Sequence, residues 1–252
     1  MRHPFQNFQV DHMTLLLQPD LYKVAHAVFN IIMGVRPGDI LYDKRREWVK
    51  GEGEKSMTFA VCVGEGASKE EALNKTIIAV VQPTEPLSQP SHVREMLDGH
   101  QSAAHWQHIA LRTPDLLAFH KHASERGMQF ITPILRDEHD DLIQVFSGEW
   151  FFPGIKSSGV FFEFLQRNPS DASVKMIEEQ NREMWFRDKT FLGLYQEKEN
   201  EYQRGKVTPF IKFELFDLIK KEIGTKNTWE MSEGDMTRIE DMMVEFTKKH
   251  SS

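Results

Sequence analysis

The chain repeats itself. Val10-Asp11-His12-Met13-Thr14-Leu15 aligns with Trp106-Gln107-His108-Ile109-Ala110-Leu111, and Pro19-Asp20-Leu21 aligns with Pro114-Asp115-Leu116, one residue closer to its histidine. Self-similarity at this spacing constrains the fold strongly, because each copy must be one supersecondary unit whose apolar face is covered by a neighbour. In the first copy, residues 8–17 read as a strand ended by Gln18-Pro19-Asp20. Residues 21–33 carry Leu21, Val24, Ala25, Val28, Ile31 and Ile32 at a helical period, with Gly34 as a stop. Strands are then expected at 40–43, 46–50, 56–64 and 76–82, with Gly51-Glu52-Gly53 as a turn. In the second copy, a strand at 106–112, a helix at 114–126 closed by Gly127, and strands at 129–131, 141–147 and 159–166 are expected.

The expected fold is therefore α+β: two paired βαβββ modules, residues 8–86 and 105–168, forming a half-open barrel around a metal site. The modules make up residues 1–170. Residues 87–99 read as a linker with a short helix at 90–98. A helical extension occupies 171–252, with helices at 172–185, 190–203, 209–223 and 233–250.

Composition narrows the function classes. Of 252 residues, 40% are hydrophobic and 27% charged, which supports a sizeable core. The net charge of -7, with no dominant Lys/Arg cluster, argues against nucleic acid as a partner. No stretch approaches the roughly 20 apolar residues of a membrane helix. The start lacks an apolar signal core, and the lone Cys62 excludes an internal disulfide and a multi-Cys zinc site, so a cytoplasmic setting is expected.

Strand alternation picks out the chemistry. It puts His12 on one face with Val10, Thr14 and Leu16, His108 with Trp106, Ala110 and Arg112, and Glu163 with Phe161 and Leu165. Glu163 interrupts the apolar run Gly159-Val160-Phe161-Phe162-Glu163-Phe164-Leu165. A carboxylate buried there needs a compensating partner, and a cation would serve. Aligning the copies at Pro86 and Pro169 sets Val80 opposite Glu163, so the repeat offers two histidines, one carboxylate and an apolar fourth position. That donor set leaves coordination sites open. It suits Fe(II), while Mn(II) and Zn(II) also accept such ligands. The competing reading is ordinary: a lone strand histidine is more often hydrogen-bonded structure, and a lone strand glutamate more often faces solvent.

These segments resemble a known family. Val10-Asp11-His12, Gln107-His108-Ile109-Ala110-Leu111, Leu142-Ile143-Gln144-Val145-Phe146 and Phe161-Phe162-Glu163-Phe164-Leu165-Gln166-Arg167 look like the catalytic half of the 4-hydroxyphenylpyruvate dioxygenase family, which has a vicinal-oxygen-chelate fold. The resemblance spans roughly residues 8–200. It implies one Fe(II) per chain held by His12, His108 and Glu163, with O2 as co-substrate. The substrate would be a 2-oxo acid, such as an aryl pyruvate, that is oxidatively decarboxylated and hydroxylated.

It also implies substrate-binding roles for Gln144, Phe146, Phe161, Ser56 and Gln107, although simple alternation sets Gln107 opposite His108. Phe191 and Tyr195 would lie on a gating helix at 190–203. Thr84 and His92 would take further substrate-binding positions, where the family pattern has Asn and Gln; the chain also departs from that pattern with no Gly-rich lead into the gating helix, and without the family's N-terminal domain. Subunit contacts therefore stay open, a homodimer among them. Benzylic hydroxylation of the hydroxymandelate-synthase type, extradiol ring cleavage and non-catalytic small-molecule binding are the alternatives, because one scaffold hosts many activities.

Overall fold

The computed structural model describes residues 3, 5–34, 40–47, 54–63, 76–83, 88, 90–137, 141–182 and 191–250. The chain is α+β and divides into two compact units. One comprises Gln9–Arg112 with Tyr195–Lys206; the other comprises Met1–Phe8, Thr113–Leu194 and Val207–Ser252.

In the first of these, β1 (Gln9–Leu17), α1 (Pro19–Ile31), β2 (Ile40–Glu47), β3 (Glu54–Val63), β4 (Thr76–Pro83), α2 (His92–Gly99) and β5 (Ala104–Arg112) follow in order. Their strands stand side by side as β2-β3-β4-β1-β5. β1 runs parallel to β4 and antiparallel to β5. Pro19, with its fixed φ and no N–H to waste, opens α1. That helix buries Tyr22 against Leu17 of β1 and Val80 of β4, with Leu15, Ala25 and Phe29 packed around them. Ser91 caps α2 by accepting from Arg94 N–H at 3.4 Å.

Two expectations change here. Strands are expected at 40–43 and 46–50, but Ile40–Glu47 is one strand paired to β3, with Lys44 opposite Thr58 and Arg45 opposite Met57, and residues 48–50 lie outside the described residues. Ladder bonds are backbone bonds, and charged side chains suit a strand at the end of the order. Val80 lies on the helix side of β4, whereas His12 and Thr14 pair with Ile77 and Ala79. Paired residues share a sheet face, so Ile77, Ala79 and Val81 are the residues on the histidine side of β4. That position stays apolar, one residue away from where the alignment put it. The Gly51-Glu52-Gly53 turn lies outside the described residues.

The other unit holds α3 (Leu116–Glu125), β6 (Leu135–Asp137), β7 (Leu142–Glu149), β8 (Phe161–Arg167), α4 (Asp171–Arg182), the start of α5 (Phe191–Arg204), α6 (Phe213–Ile223) and α7 (Glu233–His250). Its strands run β8-β7-β6. Two acceptors fix the start of α3: Asp115 takes the Ala118 N–H at 2.9 Å, and Gln166 of β8 takes the Leu116 N–H at 2.9 Å. Thr113 N–H donates to Leu165 O at 2.9 Å.

The expected strand at 129–131 is not one. Its backbone bonds go to separate partners: Gln129 N–H to Phe210 O and Ile131 N–H to Phe146 O. The strand forms later, as β6. The expected helix from 209 likewise begins only at Phe213, because residues 208–210 run extended against β7, where Glu149 N–H donates to Thr208 O and Phe210 N–H to Glu149 O. A β-carbon on Gly148 would stand 2.2 Å from Pro209 O, so only glycine allows this approach. α7 packs on α6 and α3, with Arg126, the residue that follows α3, paired to Glu240. Among the described residues, no helix is long and apolar enough to cross a membrane.

Candidate metal centre

The two first strands of the repeat carry the same irregularity. β1 and β5 pair Val10 with Leu111 and His12 with Ala110, skipping Asp11; they pair Thr14 with His108 and Leu15 with Trp106, skipping Gln107. Asp11 and Gln107 are thus extra residues in β-bulges, each immediately before its histidine. A bulge breaks the two-residue alternation and lets the extra side chain turn toward its neighbour's face. Asp11 Oδ1 stands 3.1 Å from His12 Nδ1, and Gln107 Oε1 stands 3.1 Å from His108 Nδ1. Both acceptors are buried. The expectation that Gln107 points away from His108 is therefore overturned, and the bulge is the cause.

These partners assign the tautomers. A carboxylate only accepts, so His12 carries its proton on Nδ1 and donates to Asp11. Gln107 Nε2 lies 3.2 Å from His92 Nε2 on α2. Burial, aided by the charge of Lys198, pushes His92 down to about 3, so the ring is neutral and its Nε2 accepts from the Gln107 amide. Gln107 then offers its carbonyl to His108 Nδ1–H. In this arrangement both Nε2 atoms carry lone pairs, and they face each other at 3.3 Å with the rings 81° apart. Thr14 Oγ1, 2.9 Å from His108 Nε2, is the hydroxyl beside them.

Two facing acceptors repel unless a proton or a cation sits at both. Nitrogen ligands about 2.1 Å from one cation stand about 3.0 Å apart at octahedral angles and about 3.4 Å apart at tetrahedral angles. The observed separation falls between these values. Among the described residues, His12, His108 and Glu163 form a group offering one ligand atom each, all within 4.8 Å of one another. A shared proton would satisfy the histidine pair alone, whereas a metal ion would use all three donors.

Glu163 belongs to an apolar face of β8 and β7. Phe146 pairs with Glu163, and Gln144 with Leu165, so Gln144, Phe146, Glu163 and Leu165 share one side. Phe161 joins Phe146, Leu135 and Leu194 of α5 in one buried cluster, with the Phe146 and Phe161 rings edge-on at 6.3 Å. Gln144 is buried, and its Nε2 has no hydrogen-bond partner among the described residues. A buried amide donor in that state costs about 1–3 kcal/mol, and a ligand oxygen would recover it.

Of the remaining expected residues, only His92 has a described side chain. Ser56 lies on β3 opposite Pro83, with its side chain outside the described residues, as are the side chains of Phe191 and Tyr195 on α5. Thr84 lies outside them altogether. His92 does not face the histidine pair directly; it reaches His108 through Gln107. Sequence reasoning passed over Asp11, although the repeat aligns it with Gln107.

No family model matches the sequence, and no curated protein matches it. Solved structures do align. A triply substituted 4-hydroxymandelate synthase from Streptomyces coelicolor matches at 15% identity and a TM-score of 0.48, over 69% of this chain and 55% of that one. The chain thus spans about half the length of that enzyme. A methylmalonyl-CoA epimerase matches at 18% identity and a TM-score of 0.46, over 68% of this chain and 100% of that one. The methylmalonyl-CoA epimerase from Mycobacterium tuberculosis matches at 17% identity and a TM-score of 0.42, over 65% of this chain and 91% of that one.

Proposed function

We propose that this chain is a mononuclear Fe(II) oxygenase of vicinal-oxygen-chelate type, acting on a 2-oxo acid of the aryl pyruvate class. The observation that carries the reading is the histidine pair. Two bulge residues fix both Nδ1 protons and leave both Nε2 lone pairs converging at 3.3 Å, within reach of a buried carboxylate. His12, His108 and Glu163 would hold the ion on one face of its coordination sphere. Bound Fe(II) would supply redox capacity and the vacant positions that a chelating 2-oxo acid and O2 require.

The chain's own groups do the rest. Asp11 and Gln107 hold the imidazoles in the metal-binding tautomer. Phe146 and Phe161 give an aromatic wall that excludes water and orients a ring. The Gln144 amide donates to a substrate oxygen on that face. Oxidation and decarboxylation then fall on the same bound molecule, so no separate 2-oxo acid is consumed.

The test is anaerobic Fe(II) loading, then oxygen uptake and CO2 release across a panel of 2-oxo acids. Uptake with stoichiometric CO2 from an aryl pyruvate is expected. Uptake with catechols and none with 2-oxo acids would replace this reading with extradiol cleavage. Ligand binding that needs no iron would replace it with a binding protein.

A further inference from the structure

A cavity of about 420 Å³ shares no residue with the metal centre. Its volume falls in the range of about 300–1,000 Å³ that small-molecule sites occupy. Every residue lining it belongs to one compact unit, the one that carries α6 and α7.

Its apolar lining is made of half-buried rings. Phe213, at the start of α6, meets Phe151 edge-on at 5.3 Å. Phe246 of α7 stacks on His250, with ring centroids 4.1 Å apart and planes at 22°. The His250 Nδ1–H donates to Phe246 O at 2.7 Å, which holds the imidazole over that ring. Pro209 is pinned as well: the Gln129 amide donates to Pro209 O at 2.7 Å, and Gln129 N–H donates to Phe210 O at 2.9 Å.

The lining also carries two exposed groups of opposite charge, Lys212 and Glu214. Among the described residues, neither is in an ion pair. In the same unit Lys226 pairs with Asp235 at 2.7 Å, and Arg238 with Glu222 at 3.1 Å. A lone surface lysine is ordinary, but the place of this one is not. Lys212 is the N-cap of α6 and makes no side-chain cap bond. An N-cap residue normally supplies an acceptor, and a cation there meets the positive end of the helix dipole. The helix therefore gives no reason for a lysine at 212, whereas an anion held in the cavity does. Glu214 suits the dipole, and it also sets a carboxylate in the same lining.

We propose that this cavity binds an aromatic α-amino acid as its zwitterion, with the ring against Phe213 and Phe246, the carboxylate at Lys212 and the ammonium at Glu214. A singly charged ligand would leave one of the two lining charges unmatched, and a zwitterion matches both. The inference does not rest on the 2-oxo-acid reading.

The test is titration calorimetry on the full chain with four probes: L-phenylalanine, 3-phenylpropionate, 2-phenylethylamine and L-alanine. L-Phenylalanine is expected to bind about tenfold or more tightly than each of the others, which lack the ammonium, the carboxylate or the ring. Lys212→Met should weaken L-phenylalanine and 3-phenylpropionate and leave 2-phenylethylamine unchanged. Glu214→Gln should weaken L-phenylalanine and 2-phenylethylamine and leave 3-phenylpropionate unchanged. Both side chains are exposed, so neither change removes packing from the core. Lys220→Met, which removes an exposed lysine of α6 outside the cavity lining, should alter none of these affinities. No binding of L-phenylalanine, equal affinity for all four probes, undiminished binding in both lining variants, or an equal loss in Lys220→Met would overturn the site. None of these outcomes bears on the metal centre.

Discussion

Removing the Asp11 carboxylate tests whether the bulges serve the metal. Asp11 is 3% exposed, and its Oδ1 takes the His12 Nδ1 proton at 3.1 Å. Its other oxygen lies 3.8 Å from Arg112 Nη1, beyond hydrogen-bond distance. In Asp11→Ala the ring loses the acceptor that fixes its tautomer and orientation. Loss of such a partner typically costs 10- to 100-fold in metal affinity, about 1.4–2.7 kcal/mol. Asp11→Asn keeps a carbonyl acceptor, which is what Gln107 supplies to His108 on β5. Its affinity should therefore stay within about threefold of wild type. The assay is competitive chelator titration of Mn(II), with circular dichroism to confirm the fold. Unchanged affinity in Asp11→Ala would refute the orienting role. Equal losses in both variants would show that charge, and not the hydrogen bond, is what matters.

Other perturbations have expected outcomes of their own. Phe161→Ala opens a cavity in the Leu135–Phe146–Leu194 cluster and should cost about 3–5 kcal/mol in denaturant unfolding; it should also raise the Michaelis constant for a 2-oxo acid while leaving Mn(II) affinity unchanged. Gly148→Ala places a methyl 2.2 Å from Pro209 O and should lower the melting temperature by several degrees, about 1–3 kcal/mol, since backbone atoms must shift. His92, pushed down to about 3 by burial and then by Lys198, stays neutral in the fold while the unfolded ring gains its proton near 6.5. Its contribution is complete above pH 6.5 and is lost as pH falls toward 3, with a slope of at most about 1.4 kcal/mol per pH unit. His92→Gln should flatten that slope in unfolding curves at pH 7, 6 and 5, and an unchanged slope would mean that other groups carry the acid sensitivity.

Much of the scaffold was legible because it rests on period and repetition. Two copies of a strand with a histidine, each followed by Pro-Asp-Leu and a helix, announced the modules, and the Glu within Phe161–Leu165 stood out by its cost of burial. What escaped were departures from regularity. Strict alternation cannot see a bulge, so Asp11 went unmarked and Gln107 was set on the wrong face. The same rule set Val80 one residue off, because aligning the copies by proline ignores which side of β4 faces α1. The apolar period that predicts a helix from Pro209 becomes one only at Phe213, because β7 recruits the backbone of residues 208–210 into an extended run. The burial of Lys198 had no local signal: its neighbours Gln196, Glu197 and Glu199 read as a solvated helix face.

The central claim is one cation shared by two imidazoles and a carboxylate. Anomalous scattering from crystals grown anaerobically with Mn(II) measures it directly. The account predicts a single strong peak about 2.0–2.3 Å from Nε2 of His12, Nε2 of His108 and one oxygen of Glu163. No peak there, or Mn(II) bound by other side chains while these three stay apart, would contradict it.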